Sequence, residues 1–402
     1  MAVACSSETE SQNGTLLGET SHSEAVSTAI ASQQVVESAE KSATSEELSG
    51  FALRPSAPQL IDQRYEVEGR LGEGGTAVVY LARDRVTDQL VVVKIMKPEI
   101  AETQELKERF LFEAHALKRV DHPSVVRVLD ISDTDDHKQS DGLAYLVLEA
   151  LPGESLGDYL KRHGSMPSEM AVRLLREAAV ALAVVHQAAL VHRDIKPDNI
   201  YLVGPIDAPT HVKVLDFGMA HAVEEGHDEN STSILGTAQY MAPEQILVEP
   251  VDARADIYGL GMVLFRTVTG HLPFDDVKSK HHLLRHQLFS PVPPASWLHE
   301  HISPALERLI HRCTRKAKVA RFSSMDEVVS AFDQVLSSDL EPDDEFPVSS
   351  RGLSLLAGAE TFSLQDPDIY VPQTDKGRKA ADILAIEFGI YSKPQRSWPP
   401  GQ

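Results

Sequence analysis

The chain has 402 residues, of which 42% are hydrophobic and 24% charged, a composition typical of a soluble globular protein. Its net charge of −22 argues against nucleic acid as the main partner, because phosphate binding needs a basic surface. The only cysteines, Cys5 and Cys313, are too far apart in the sequence to suggest a disulfide framework or a cysteine-ligated metal site. Length and composition therefore allow an enzyme with one large core.

No segment approaches the ~18 consecutive apolar residues of a membrane span. The longest apolar run, at 178–185, is followed at once by His186. The sequence also begins, at "MAVACSSETE", without the basic and apolar regions of a secretory signal. We therefore expect no membrane span and a cytoplasmic location.

Three regions follow one another along the chain. The first 50 residues contain 11 Ser and 5 Thr and no aromatic residue, which predicts a disordered tail over residues 1–60. Residues 65–338 are dense in apolar side chains and are predicted to fold. Residues 339–402 are acidic and interrupted by proline, which predicts a weakly ordered tail. Within this tail, the short amphipathic stretch "AADILAIEFGIY" either docks on a partner or on the folded part, or stays weakly ordered.

The folded region itself divides in two. Residues 65–150 contain mostly strand patterns and one helix pattern, "ELKERFLFEAHALKRV", which places Phe110, Ala114 and Leu117 on one face. Helical periods dominate residues 151–338. We therefore predict an α+β fold with two lobes. The small N-lobe is rich in sheet and contains one helix, and the larger C-lobe is helical. Ligands often bind in the cleft where two such lobes meet.

Three glycines, Gly72, Gly74 and Gly75, lie in "LGEGGTAVVY" between two predicted strands. Because they lack Cβ atoms, backbone amides there can approach phosphate oxygens, although a glycine-rich hairpin tip is an equally good interpretation. Lys94 follows in the next strand between apolar residues, and a lysine buried there needs an anion. Glu113 on the predicted helix is a candidate partner. The alternative is that both side chains are solvated.

A polar group, "HRDIKPDN" at 192–199, stands between two apolar stretches and would cost desolvation energy unless its side chains met each other, a metal or a ligand. Asp194 is suited to accept a hydroxyl proton, Lys196 to neutralise a phosphoryl group and Asn199 to bind Mg²⁺. Asp216 in "VKVLDFGMA" follows an apolar strand and is either a second metal ligand or part of a hairpin bend. Together these residues predict phosphoryl transfer.

Over about residues 65–338 the chain resembles the eukaryotic-type protein kinase family, and within it the bacterial serine/threonine kinases. Six motifs carry the resemblance, in the order of the family: "LGEGGTAVV", Lys94, Glu113, "HRDIKPDN", "DFG" and "APE". The resemblance implies a bilobal fold with ATP and Mg²⁺ between the lobes. It also implies transfer of the ATP γ-phosphate to Ser or Thr hydroxyls of protein substrates.

The resemblance implies catalytic roles for four residues. Asp194 would be the catalytic base, and Lys196 would contact the γ-phosphate. Lys94, held by Glu113, would bind the α- and β-phosphates. A lysine two places after the catalytic aspartate is similar to the serine/threonine version of this loop.

The resemblance also implies metal and nucleotide contacts. Asn199 and Asp216 would hold Mg²⁺. The nucleotide would meet the glycine-rich turn, its flanking strands, the connection between the lobes and the strand after the catalytic loop, at Leu71, Gly72, Gly74, Gly75, Val79, Val92, Lys94, Glu149, Leu151 and Tyr201. Val92 stands where the family usually has alanine, and its extra methyl groups predict weakened ATP affinity.

Regulation by phosphorylation is implied as well. An arginine such as Arg193, before the catalytic base, often pairs in this family with a phosphorylated residue of the activation segment. The candidates here are Ser231, Thr232 and Ser233, which would each gain about −1.5 to −2 charges by autophosphorylation, with a possible homodimer acting in trans. The alternative is an exposed polar loop. Thr237 matches the threonine that braces the catalytic base.

Two further residues resemble structural supports of the family. Asp256 would support the catalytic loop, and Arg321 would pair with Glu244 of "APE".

Two other functions remain open. A pseudokinase scaffold usually lacks the lysine or one of the aspartates, whereas this chain has Lys94, Asp194 and Asp216. A small-molecule phosphotransferase shares the ATP-binding lobe but normally lacks the "APE" segment, which is present at 242–244. A protein substrate is therefore favoured.

Overall fold

The structure, a computed structural model, describes residues 60–132, 143–205, 208–217, 238–275, 279–299 and 301–337, together with Thr374. The tails predicted for 1–60 and 339–402 lie almost wholly outside the described residues, so their predicted disorder stays a prediction. No helix in the described part of the chain is both long and apolar enough to span a bilayer.

The N-lobe is built on an antiparallel sheet of six strands in the order β1-β2-β3-β4-β6-β5. The strands are β1 (Leu60–Ile61), β2 (Tyr65–Glu73), β3 (Ala77–Asp84), β4 (Leu90–Met96), β5 (Val128–Ile131) and β6 (Tyr145–Glu149). Successive side chains of a strand point to opposite faces. On β4, Val91, Val93 and Ile95 therefore pack in one apolar cluster, while Val92 and Lys94 point to the other face.

Two helices follow β4, α1 (Pro98–Ala101) and α2 (Gln104–Lys118). On α2, Phe110, Ala114 and Leu117 are buried, at a spacing that places them on one side of the helix, so the predicted apolar face is confirmed. They pack in the same cluster as Leu146 of β6. The helix thus covers the sheet face that carries Lys94.

The C-lobe is mostly helical. Its helices are α3 (Leu156–His163), α4 (Ser168–Gln187), α5 (Pro243–Ile246), α6 (Arg254–Thr269), α7 (Lys280–Phe289), α8 (Pro304–Cys313) and α9 (Met325–Ser337). Helix α6 is buried almost all round, as expected for a central helix, and it packs against α4 and α8. The described part of the lobe also contains short 3₁₀ turns at Pro197–Asn199, Ala295–Trp297 and Lys318–Ala320.

A second, three-stranded sheet carries the polar motifs of the C-lobe. It comprises β7 (Gly153–Ser155), β8 (Ile200–Val203) and β9 (His211–Val214), with β8 in the middle. Ile200 lies opposite Val214, so the residues before β8 and after β9 are neighbours, and the Leu215 N–H donates to the Asn199 carbonyl at 2.9 Å. This register brings "HRDIKPDN" and "DFG" together. The α+β class predicted from the sequence is confirmed.

Candidate active site

The loop that contains Asp194 is anchored by hydrogen bonds to Asp256, which lies in the first turn of α6. The backbone N–H groups of His192 and Arg193 donate to its two carboxylate oxygens at 2.8 and 2.7 Å. His186 Nε2 lies 2.7 Å from Asp256 Oδ2. A buried carboxylate is costly unless it is hydrogen-bonded, and these three partners satisfy it. The predicted support of the catalytic loop by Asp256 is confirmed.

His192 joins this loop to the segment after β9. Its fully buried ring accepts the Asp194 N–H at Nδ1 (3.3 Å), so in the neutral ring Nε2 carries the hydrogen and donates to the Leu215 carbonyl at 2.7 Å. The ring also packs on Phe217, with 4.7 Å between the centroids. These contacts fix the two polar motifs relative to each other.

Arg193 and Asp216 both have left-handed backbone, with φ of 66° and 51°. A residue other than glycine in this region stores of order 1–3 kcal/mol of strain, and such residues cluster at functional sites. The Gln245 side chain donates to the Arg193 carbonyl at 2.7 Å and so helps to hold the first of them.

Asp194, Lys196 and Asn199 form one hydrogen-bonded group. Lys196 Nζ lies 2.7 Å and Asn199 Nδ2 lies 3.0 Å from Asp194 Oδ2, and Asn199 Nδ2 also donates to the Asp194 carbonyl at 2.7 Å. Since the amide nitrogen of Asn199 faces Asp194, its amide oxygen faces away and is available as a ligand. The structure thus brings three of the predicted site residues into contact.

Lys94 reaches across to Asp216. Its ammonium lies 2.8 Å from Asp216 Oδ1, and the lysine is only 8% exposed. Burial alone would raise the pKa of Asp216, but the Lys94 charge, with a smaller contribution from Lys196, outweighs burial and lowers the pKa below its ordinary value. Asp216 is therefore a carboxylate at neutral pH, the form that binds a metal ion.

Glu113 does not pair with Lys94 in this structure. Its Oε1 accepts a hydrogen bond from Arg109 Nε at 3.2 Å, one helical turn earlier, and its Oε2 is buried without a hydrogen-bond partner. Among the described residues no ion pair joins Lys94 to Glu113. The anion that buried Lys94 needs is supplied by Asp216, while Glu113 takes the local partner on its own helix. The predicted Lys94–Glu113 contact is thus replaced by two other ion pairs.

The glycine-rich turn joins β2 to β3 and is closed by a hydrogen bond from the Gly74 N–H to the Ala77 carbonyl (2.9 Å). A Cβ added at Gly72 or Gly75 would meet no atom within 4 Å, so packing does not require these glycines. Gly72 lies opposite Val79, and Val79 lies opposite Lys94. The turn therefore has open space beside Gly72 and Gly75, and it lies in line with Lys94 across the sheet.

Apolar residues flank Gly72, Val79 and Lys94, which lie side by side on neighbouring strands. Val92 lies on the same face of β4 as Lys94 and opposite Leu148, and it packs against the main core. Leu71 of β2 is 58% exposed. The sheet thus presents an apolar surface next to Lys94, as a nucleotide base requires.

The connection between the lobes is tied to the C-lobe by side chains. Glu149 Oε1 accepts hydrogen bonds from Lys213 Nζ at 2.7 Å and from the Arg127 N–H at 2.8 Å, so its carboxylate has protein partners. The Tyr201 hydroxyl donates to the Gly153 carbonyl at 2.7 Å and to the Leu151 carbonyl at 3.2 Å. Burial, with nearby acidic residues, raises the pKa of Tyr201, so its hydroxyl remains a donor at neutral pH.

Comparison with known proteins decides the family. Residues 65–333 match the family model of the protein kinase domain. The chain belongs to the protein kinase family. Its fold is also that of the PknI kinase domain of Mycobacterium tuberculosis, with a TM-score of 0.54 at 23% identity over 71% of this chain and 100% of that one.

The chain is similar in sequence to bacterial serine/threonine-protein kinases. It is 34% identical to PknB of Mycobacterium leprae over 80% of this chain and 50% of PknB. It is 32% identical to PrkC of Bacillus subtilis, over 84% of this chain and 50% of PrkC. It is 31% identical to a probable serine/threonine-protein kinase of Clostridium perfringens, over 79% of this chain and 44% of that kinase. The chain thus spans about half the length of these relatives.

The end of the kinase activation segment is fixed by a buried ion pair. Arg321 Nη1 and Nη2 donate to Glu244 Oε1 and Oε2 at 2.6 and 2.9 Å, and both side chains are fully buried. The guanidinium also donates to the carbonyls of Arg315, Lys316 and Arg254. The predicted pairing of Arg321 with Glu244 is confirmed. Four residues predicted to regulate the kinase, Ser231, Thr232, Ser233 and Thr237, lie outside the described residues.

A series of buried, hydrogen-bonded polar side chains that leads to Gln239 was not predicted from the sequence. Lys316 Nζ donates to the Tyr258 hydroxyl at 2.9 Å, the hydroxyl donates to Gln287, and the Gln287 amide donates to the Gln239 carbonyl. Lys316 and Gln287 are fully buried. The polar surroundings of Lys316 in "TRKAK" gave no sign of burial. Tyr258 within the apolar run of α6 was the one usable signal, because a buried phenol needs a partner.

Proposed function

We propose that this chain is a serine/threonine protein kinase, which transfers the γ-phosphate of ATP to Ser or Thr hydroxyls of protein substrates. The observation that carries the proposal is the hydrogen-bonded group of Asp194, Lys196 and Asn199 beside the ion pair of Lys94 with Asp216. Phosphoryl transfer needs positioned charges and no covalent nucleophile. The two sets of residues offer two cations, two carboxylates and an amide, and Lys196 is close enough for its charge to help lower the pKa of Asp216.

Each residue then has a distinct task. Asp194 accepts the proton of the attacking hydroxyl, and its carboxylate is oriented for this by hydrogen bonds from Lys196 and Asn199. Lys196 balances negative charge on the transferred group, while Lys94 holds the remaining phosphates. Glu113 is the residue to which Lys94 turns when it leaves Asp216, since Oε2 of Glu113 is buried without a partner.

Asn199 and Asp216 fit a magnesium ion. The described residues include no group of three or more His, Cys, Asp or Glu side chains placed to hold a metal by themselves. Magnesium typically takes only one or two protein ligands beside phosphate oxygens and waters, so an amide oxygen and one carboxylate suffice. When bound, the ion neutralises charge on the phosphates. Before an ion binds, the Lys94 charge lowers the pKa of Asp216 and keeps this ligand ionised, and a bound ion would supply the positive charge in its place.

The nucleotide is proposed to lie against the glycine-rich turn and the apolar face beside it. Gly72, Gly74 and Gly75 leave room for phosphates, and Leu71, Val79 and Val92 enclose the base from the sheet side. The Glu149 carbonyl and the Leu151 N–H are proposed to meet the base edge, since the Glu149 carboxylate and N–H and the Leu151 carbonyl already have protein partners. Tyr201 closes the site from the C-lobe side through its hydrogen bond to Leu151.

Activation is proposed to follow phosphorylation of Ser231, Thr232 or Ser233, whose new charge would pair with Arg193. Thr237 is proposed to brace Asp194. A homodimer is the proposed arrangement for transfer in trans. Equal activity of the Ser231→Ala, Thr232→Ala, Ser233→Ala triple variant and of the wild type would contradict this route of activation.

The experiment is transfer of labelled γ-phosphate by the purified full chain to itself and to a general protein substrate, with and without Mg²⁺. We expect Mg²⁺-dependent phosphoserine and phosphothreonine, and loss of both in Asp194→Asn. Phosphotyrosine as the main product, or a folded chain that binds nucleotide without transferring phosphate, would contradict the proposal. The second outcome would favour a pseudokinase scaffold.

A further inference from the structure

Helix α7 holds residues 238–241, just before "APE", by both polar and apolar contacts. The side-chain amide of Gln287 donates to the carbonyls of Ala238, at 3.4 Å, and of Gln239. One helical turn earlier, Leu283 packs in an apolar cluster with Ala238 and Met241. Gln287 is fully buried. Two neighbouring carbonyl groups thus bind one buried side chain of a separate helix.

The direction of these hydrogen bonds is fixed by a lysine. Lys316 Nζ donates to the Tyr258 hydroxyl at 2.9 Å, and an ammonium group has only donors. The hydroxyl then gives its own hydrogen to Gln287 Oε1, which leaves the Gln287 Nε2 donors for the backbone carbonyls. In Gln287→Glu a carboxylate oxygen would face those carbonyls. Only a side-chain amide therefore satisfies both neighbours.

The other end of this stretch is tied to the catalytic loop. The Gln245 side-chain amide donates to the Arg193 carbonyl at 2.7 Å, and its oxygen accepts the Ala242 N–H at 3.1 Å. Tyr240 and Met241 lie between this attachment and the one to α7. Their position relative to the catalytic loop therefore depends on both attachments.

Tyr240 and Met241 border a small cavity beside the proposed catalytic base. Asp194 and Ile195 line the same cavity. In the proposed function a substrate hydroxyl has to reach Asp194, so the polypeptide that carries this hydroxyl has to pass next to the walls of the cavity. A displacement of about 1 Å from the productive geometry costs a large part of the rate. The position of Tyr240 and Met241 therefore matters for the transfer.

We propose that Gln287 is a positioning residue for the protein substrate, because it holds residues 238–241 where Tyr240 and Met241 guide the substrate hydroxyl to Asp194. This inference rests on the proposed function and names the part of the chain that the protein substrate meets. Gln287 is fully buried, so it acts through residues 238–241 and does not touch the substrate. Its loss should impair transfer to a protein while binding of ATP is kept.

The first experiment compares transfer of phosphate to dephosphorylated casein with binding of Mg²⁺–ATP, both in the full-length protein. Gln287→Met keeps the length of the side chain and removes its hydrogen bonds. We expect kcat/KM for casein to fall about tenfold, the size of effect expected from losing one or two hydrogen bonds, with the Kd for Mg²⁺–ATP unchanged. Gln287→Glu should lose at least as much, since its carboxylate cannot donate.

Thr269→Val is the matched control. It removes a buried hydroxyl at the end of α6 that donates to the Phe265 carbonyl at 2.7 Å, and it should change neither quantity. An unchanged kcat/KM for casein in Gln287→Met would overturn the proposal. A parallel loss of casein phosphorylation and of Mg²⁺–ATP affinity would also overturn it, because a general loss of structure has that effect.

The second experiment measures hydrogen exchange of the backbone amides of residues 238–241 and needs no catalysis. We expect exchange to be about tenfold faster in Gln287→Met, faster by a smaller factor in Tyr258→Phe, and unchanged in Thr269→Val. Equal exchange in the wild type and in Gln287→Met would overturn the proposal. A wild type that transfers phosphate to no protein would contradict the proposed function, whereas the exchange data would still show whether Gln287 holds residues 238–241.

Discussion

The two halves of the candidate active site differ in how completely they are assembled. On the C-lobe side, Asp256 holds the catalytic loop by two backbone hydrogen bonds, and Asp194 is already bonded to Lys196 and Asn199. On the N-lobe side, Lys94 pairs with the proposed metal ligand Asp216, and Glu113 pairs with Arg109. The same protein therefore contains a fixed half and an exchangeable half.

This difference indicates where a rearrangement precedes catalysis. In the proposed function, Lys94 leaves Asp216 when that carboxylate binds a metal ion, and the buried Oε2 of Glu113 is proposed as its next partner. The exchange replaces one ion pair of Lys94 by another. The C-lobe half needs no comparable change. Substitutions there should remove function or stability outright, whereas substitutions in the N-lobe half should shift an equilibrium.

The largest expected effect is that of Asp194→Asn in the fixed half. The amide keeps the size of the side chain but cannot accept the substrate proton, so we expect the transfer rate to fall about 10²- to 10⁴-fold. Single-turnover transfer measures it, with unfolding curves to show that the variant is folded. A loss under threefold would show that Asp194 is not the base.

The second largest effect is expected at the buried ion pair of Arg321 with Glu244 in the C-lobe half, and it is a loss of stability. Arg321→Met removes one partner of a fully buried pair and leaves Glu244 without its counter-charge, so we expect a loss of about 3–5 kcal/mol in the free energy of unfolding. Arg176→Met is the matched control, because its pair with Asp333 is largely solvent-exposed and should contribute at most about 1 kcal/mol. Chemical denaturation measures both. Equal losses in the two variants would contradict the claim that the buried pair fixes the segment.

Val92→Ala tests the nucleotide surface of the exchangeable half. Overpacking typically costs about 1–3 kcal/mol, so if the valine crowds the base its removal should lower the Kd for ATP by about fivefold or more. Isothermal titration of the two proteins measures this difference. An unchanged Kd would show that the site accommodates the valine.

Arg109→Gln should have the smallest effect. An ion pair one helical turn apart stabilises by about 0.3–0.5 kcal/mol, so freeing Glu113 should tighten Mg²⁺–ATP binding about twofold. Lys107→Gln removes the same charge from the same helix and serves as control. Weaker binding in Arg109→Gln alone would mean that Arg109 supports the productive state and does not compete with it.

The sequence predicted those parts of the structure that depend on local pattern or on strongly paired residue types. Phe110, Ala114 and Leu117 followed from helical spacing, and the pairing of Arg321 with Glu244 followed from the family motifs. The pairing of Lys94 with Asp216 rather than Glu113 did not follow, because it depends on how α2 packs on the sheet relative to the segment after β9, and local sequence patterns do not determine that packing. The burial of Lys316 was equally hidden, since it depends on Tyr258 and on Gln287 of a separate helix.

The most direct test of this account is a crystal structure of the chain with Mg²⁺ and a non-hydrolysable ATP analogue. We predict a magnesium ion bound by the Asn199 amide oxygen and the Asp216 carboxylate, with Lys94 moved from Asp216 to the phosphates and to Glu113. The hydrogen bonds of Asp256 to the catalytic loop should be unchanged. A nucleotide-bound structure in which the metal ion lies away from both ligands, with Lys94 still paired to Asp216, would contradict the account.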